Sequence, residues 1–184
     1  MLQKLKRVIA NIIYKPPPNY TITMLLPDTK EKTWQGLRAK TRNMIRKHQK
    51  LNHQISTDAE NIKQFYALYS ERMAAKSAPR KSYDTLLELV NPKSMHRVLY
   101  TEYDGTKLIG GAIVQFDTYS ACWILGALTS EFLLWHVVQD CVSLGKEYLE
   151  LGKSRPGSGS FKFKRNFCGQ FASIKRLEER RWDR

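Results

Sequence analysis

A chain of 184 residues fits one ordinary domain plus short terminal additions, and its 42% hydrophobic, 11% aromatic and 26% charged content excludes wholesale disorder. Thirty-one Lys and Arg against 17 Asp and Glu leave a net charge of +14. Such a balance points to a polyanionic partner: nucleic acid, a nucleotide-linked substrate or anionic lipid headgroups, with a merely soluble basic enzyme as the plainer alternative.

Leu2, Leu5, Val8, Ile9, Ile12 and Ile13 recur at helical spacing among Lys4, Lys6 and Arg7, ahead of Pro16-Pro17-Pro18. This predicts a short basic amphipathic helix suited to docking, to a dimer contact or to peripheral membrane contact. Residues 20–26 alternate as a strand, and Pro27-Asp28 breaks it before a long helical pattern over 29–51. Trp34, Leu37, Thr41, Met44 and Ile45 form the inward stripe of that helix. Arg38, Arg42 and Arg46 fall at successive i+4 positions, where like charges destabilise a bare helix. Their repulsion is relieved either by an anionic ligand such as phosphate or by solvent on an exposed face.

Asp58 is placed to cap a helix over 59–75 with Ile62, Phe65, Leu68 and Tyr69 inward, and Ser82 or Asp84 opens another through Leu86 to Val90. Residues 97–103 alternate as a strand, Asp104-Gly105 supplies hairpin chemistry, and 107–116 returns, with Gly110-Gly111 marking a bulge or a close backbone approach. A second turn at 117–120 leads into a strand over 121–127. An apolar helix over 131–144, closed by Gly145, comes next. A strand over 147–151, a Gly/Ser/basic loop over 152–160 and a last strand over 170–177 complete the order. Short meander turns rule out parallel crossovers there, so the expected class is α+β: a mixed, largely antiparallel sheet flanked by helices. The expected organisation is a basic helix and Pro-rich linker at 1–19, a single domain at 20–177 and a charged tail at 178–184.

Cys122, Cys141 and Cys168 are odd in number and far apart, which indicates neither a disulfide framework nor a zinc cluster. A reducing compartment is the simplest inference. With no apolar run of about 18–20 residues, a cytoplasmic location is expected. His48, His53, His96 and His136 show neither metal-ligand spacing nor an obvious carboxylate partner, so no metal is expected.

The most informative stretch is Tyr148-Leu-Glu-Leu-Gly-Lys-Ser154 followed by Gly157-Ser-Gly-Ser-Phe-Lys-Phe-Lys-Arg-Asn-Phe-Cys-Gly169. It resembles the C-terminal signature of the FemAB-like branch of the GNAT acyltransferase superfamily. Lys40-Thr-Arg42-Asn-Met-Ile-Arg46-Lys47 is similar to that family's basic helix, and Leu133-Leu-Trp135 through Gly145 to its Leu-Leu-x-Trp helix. The resemblance spans residues 20–173 and corresponds to the second of the family's two GNAT-like halves. It implies a GNAT-like fold and an N-acyltransferase or aminoacyltransferase moving an activated group to an amine, as in peptide-bridge or cell-envelope precursor modification. It also implies that the missing half comes from self-association or a partner chain, unless activity is lost.

By the same resemblance, Lys164 would stabilise negative charge developing in the transition state, with the backbone of Phe163 guiding the amine. Arg42 and Arg46 would hold a phosphate-bearing substrate, joined by Lys153 and Arg155. No tightly bound cofactor is implied; the donor would be aminoacyl-tRNA or acyl-CoA. Leu125-Gly-Ala-Leu-Thr-Ser130 lacks the Gly-rich pyrophosphate turn usual for acetyl-CoA enzymes, which tilts the donor toward aminoacyl-tRNA. Cys168 is either a lysine-activated thiol or a small packing residue, and Glu150 either a general base or a structural carboxylate paired with Lys162 or Arg155. The competing class is a catalytically silent half-domain that binds RNA or a partner protein through the arginine stripe.

Overall fold

The computed structural model describes residues 20–91 and 96–176, so the amphipathic pattern at 2–13 and the charged tail lie outside the described residues. Seven strands form one sheet in the order β2-β3-β4-β5-β6-β1-β7. They are β1 (Tyr20–Leu25), β2 (Gln54–Ser56), β3 (Arg97–Asp104), β4 (Lys107–Phe116), β5 (Ser120–Ala127), β6 (Tyr148–Ser154) and β7 (Ala172–Arg176). All neighbours run antiparallel except β5 and β6. That parallel pair requires a crossover, supplied by helix α5 (Glu131–Ser143). The mixed sheet and the β3-β4-β5 meander are those expected from the order of elements.

Period-two alternation divides the core between the two faces. Tyr100, Ala112, Val114 and Phe116 point into a cluster with Ile22, Met24, Ile45 and the buried side of α5. Their neighbours Leu99 and Ile113 point the other way, onto Ile62, Phe65, Tyr69, Leu86 and Val90. Those residues belong to α3 (Ile62–Ala75) and α4 (Tyr83–Leu89) with its C-terminal cap Val90; the two helices follow, respectively, a 3-10 turn capped by Asp58 and the cap Ser82. Gly111 is where the sheet admits α3: a Cβ there would lie 2.6 Å from the Phe65 ring. Beside it Ile109 is an extra residue on β4, since Glu102 pairs with Gly110 but Tyr103 with Leu108.

Two differences from the sequence pattern bear on the site. The helix expected over 29–51 is two helices, α1 (Lys30–Gly36) and α2 (Ala39–Lys50), with Leu37 and Arg38 extended between them. Gly36 seats this break, because a Cβ on it would meet the Phe171 ring at 2.1 Å. Second, the segment read as loop and Lys-rich stretch contains helix α6 (Gly159–Cys168), whose cap Ser158 accepts the Phe161 amide. Phe167 and Cys168 are buried on its inner face.

Candidate functional site

Strands β5 and β6 pair only at Ser120–Tyr148, Ala121–Leu149 and Cys122–Glu150, and then part. The divergence has a local cause: β5 carries an extra residue, Ile124, because Ile113 pairs with Leu125 while Val114 pairs with Trp123. Such a bulge bends its strand. On the other side, β6 passes through Gly152 at φ 70°, a conformation that glycine adopts without steric cost.

The gap is a cleft of about 700 Å³ lined by residues 123–129, by Leu151, Gly152 and Lys153, and by Gly159, Ser160, Phe163 and Lys164 of α6. Leu134 of α5 and Arg72 and Lys76 at the end of α3 complete the wall. At the rim Leu128 holds φ 49°, a left-handed conformation that costs a non-glycine residue about 1–2 kcal/mol. A side chain at Gly110 would lie 2.6 Å from the Leu128 carbonyl oxygen, so the two residues fit only as a pair.

Lys164 spans the base of the opening. Its ammonium donates to the Ser154 hydroxyl at 2.9 Å and to the carbonyls of Gly152 and Lys153 at 3.3 Å each. Burial holds its pKa below the ordinary lysine value, slightly opposed by Cys168. The first amides of α6 have no intrahelical acceptor and lie at the positive end of the helix dipole, and Gly159 and Ser160 are on the cleft wall. With Arg72, Lys76, Lys153 and Lys164 around it, the cleft is suited to an anionic group and to an oxyanion forming near Lys164.

Of the expected site residues, Lys153, Phe163 and Lys164 come together in this cleft, whereas Arg42, Arg46 and Arg155 are not among its lining residues. The Arg42 guanidinium donates to the Gln35 carbonyl at 3.0 Å and to that of Leu37, closing the C-terminal end of α1. Arg46 lies 5.3 Å from the Trp34 ring centroid and donates to Asn43 at 3.3 Å. Arg38 binds Asn166 at 2.8 Å. Arg155 contributes its carbonyl, which accepts from the Ser158 hydroxyl at 2.7 Å and the Ser158 amide at 3.1 Å.

The Cys168 thiol is pushed up to about 12 by burial, so packing, not nucleophilic chemistry, describes it. Glu150 is outside the cleft lining and beside Cys122, whose thiol pKa burial raises first and Glu150 raises further. Arg72 and Lys76 were not singled out by sequence; their one signal was i+4 spacing at the basic end of a helix.

The histidine expectation is corrected on the opposite side of the α5 N-terminus. His48 Nδ1 and His53 Nδ1 lie 2.8 and 2.9 Å from Glu102 Oε1, and the carboxylate is buried. The partner was invisible because 54 and 49 residues separate the carboxylate from the two rings.

No family model and no curated protein matches the sequence. Among solved structures the chain is similar to FemX, with a TM-score of 0.71 and 10% identity over 89% of this chain and 61% of that one. It is also similar to the DUF2156 C-terminal domain of an Agrobacterium fabrum protein assigned as a lysylphosphatidylglycerol synthetase, with a TM-score of 0.56 and 13% identity over 83% and 54% of the two chains. A GCN5-related N-acetyltransferase from Kribbella flavida matches at TM-score 0.51 and 13% identity, over 87% of this chain and 36% of that one. The GNAT-like fold implied by the motifs is the fold of this chain, and the chain spans about 61% of the length of FemX.

Proposed function

We propose that this GNAT-fold chain is an N-acyltransferase of the FemAB-like kind, which takes an acyl or aminoacyl group from an anionic activated donor and passes it to an amine. The observation that carries the proposal is the cationic cleft between β5 and β6, with Lys164 fixed at its base. An activated ester would lie with its phosphate-bearing portion toward Arg72, Lys76, Lys153 and the α6 N-terminus. Its carbonyl oxygen would lie toward the Lys164 ammonium. Attack by the acceptor amine gives a tetrahedral intermediate whose negative charge that ammonium stabilises, and collapse expels the donor alcohol or thiol while the amine loses a proton. The backbone of Phe163 guides the amine along the wall. Arg42 and Arg46 support the frame instead of the phosphate, given what their side chains already hold, and Arg155 stands outside the cleft lining.

Aminoacyl-tRNA suits the net charge and the absence of a Gly-rich pyrophosphate turn at 125–130, and acyl-CoA is the other donor to be tried. The acceptor belongs to the class of amine-bearing cell-envelope precursors, and the other half of the two-half architecture is to be sought in a second copy or a partner chain. Incubating the protein with aminoacyl-tRNA or acyl-CoA donors and a panel of amines, with mass detection of product, tests the assignment. The expected result is an amide product from one donor class. Absence of transfer from every donor, with salt-dependent RNA binding retained, would overturn it.

A further inference from the structure

The cluster of His48, His53 and Glu102 lies away from the acyl-transfer cleft, and its geometry is not that of a simple hydrogen-bonded set. His48 Nδ1, His53 Nδ1 and Glu102 Oε1 form a triangle with sides of 2.8, 2.9 and 3.0 Å. The side chains are 16%, 7% and 1% exposed respectively. If both imidazoles donate to the same oxygen, two N–H groups converge with their nitrogens 3.0 Å apart. If one of them does not, a buried nitrogen lone pair is left facing the carboxylate. A shared cation satisfies all three lone pairs at once and neutralises a charge that is otherwise costly to bury.

The spacing agrees with that reading. Donors held at about 2.0–2.2 Å from a first-row divalent ion stand about 2.8–3.1 Å apart at right angles and about 3.3–3.6 Å apart at the tetrahedral angle, so the triangle fits the former and opens by about half an ångström to reach the latter. Two imidazole nitrogens and one carboxylate oxygen suit zinc or a neighbouring transition ion and suit calcium or magnesium poorly. The second carboxylate oxygen, Oε2, is already held by the Ser130 hydroxyl at 2.5 Å, the outer support usual for a ligating carboxylate. The Phe132 ring walls the site, with its centroid 6.0 Å from that of His48 and 6.4 Å from that of His53.

We propose that His48, His53 and Glu102 form a binding site for one divalent transition-metal ion of the zinc class, with a structural role. The ion would join the end of α2 to the residue preceding β2, and both to β3. Through Ser130, which caps α5 by accepting the Leu133 amide at 3.0 Å, it would also fix the start of that helix. Thr129, one residue earlier, lines the cleft, so the ion stiffens the cleft rim from behind without entering it. This proposal stands whether or not the cleft transfers acyl groups.

The test uses the full chain without a polyhistidine tag. Metal analysis of the purified protein is expected to give about one equivalent of zinc per chain, or the metal-free protein is expected to take up about one equivalent with a rise in melting temperature. Co²⁺ added to metal-free protein should give visible d–d bands that zinc abolishes. His53→Ala should lose the bands, and Glu102→Gln, which keeps hydrogen-bonding capacity toward Ser130, covers the case in which His53→Ala does not fold. Ser130→Ala should weaken zinc binding by about 10–100-fold. Wild-type protein that holds no zinc, shows no Co²⁺ bands and gains no melting temperature would overturn the site. So would folded His53→Ala and Glu102→Gln variants that bind as wild type does.

Discussion

Two groups of cations among the described residues differ in what their charge faces. Arg38 at the cap of α2 and Arg42 and Arg46 within it, spaced by four residues, have the look of a phosphate-binding stripe, yet each is engaged within the fold. Arg38 binds Asn166, Arg42 binds the carbonyls ending α1, and Arg46 sits over Trp34. Around the cleft, Arg72, Lys76, Lys153 and Lys164 come from three separate segments with no shared periodicity, and they face one open volume. Density of charge along a sequence therefore does not locate an anion site. Convergence on a common cavity does, because attraction depends on distance to the ligand and on how far water is excluded from it.

The strongest way to break this contrast is Lys164→Met. If the ammonium faces the developing oxyanion, turnover should fall by about 100–1,000-fold, measured with the donor identified by the screen. Circular dichroism should show the fold retained despite the lost bonds to Ser154 and the β6 carbonyls. Near wild-type turnover would reassign Lys164 to bracing the end of β6. Smaller, but specific to binding, is the double reversal Arg72→Glu with Lys76→Glu. It should raise the donor's Michaelis constant by about tenfold and flatten its salt dependence, whereas a cleft indifferent to anions would show no change.

Arg42→Ala sharpens the comparison from the other side. It should leave the Michaelis constant essentially unchanged and cost about 1–2 kcal/mol of stability in urea unfolding, because the carbonyls at the end of α1 lose a charged donor. A Michaelis constant raised by as much as in the double reversal would return Arg42 to the binding site.

The gentlest test is pH. Burial lowers the folded-state pKa of Lys164, so its ammonium is lost as pH rises through a value below that of an ordinary lysine. Turnover should decline over that alkaline window, and the decline should be missing from the residual activity of Lys164→Met. The stability contribution runs the opposite way. In the window between the lowered folded pKa and the unfolded one, the unfolded chain binds more proton, so stability rises with pH. A rate that increased across the same window would make Lys164 a base instead of an electrostatic stabiliser.

Much of the fold was legible because its signals are local. Asp104-Gly105 with Gly105 at φ 58° made the hairpin, Gly145 at φ 65° ended α5, and alternation over 97–103 marked β3 as a strand. The break between α1 and α2 was not legible, since Gly36 interrupts the helix to make room for Phe171, a residue far along the chain. Helix α6 was masked by a Gly/Ser-rich lead-in, although Ser158 at the cap and apolar Phe161, Phe167 and Cys168 carried a usable signal. Lys164 and Phe163 were reached through motif resemblance alone. Arg72 and Lys76 had no such motif to reveal them.

What the sequence by itself determined was the class of fold, the meander and the net positive charge, each set by composition or by periods of two and 3.6 residues. What only the tertiary structure decided was where β5 leaves β6, which cations face the resulting cleft, and that Glu102 of β3 meets His48 and His53. These outcomes depend on register and packing between segments tens of residues apart. No local pattern encodes them, because a carboxylate or an ammonium acquires its partner and its pKa only when folding brings the two together and removes water from between them.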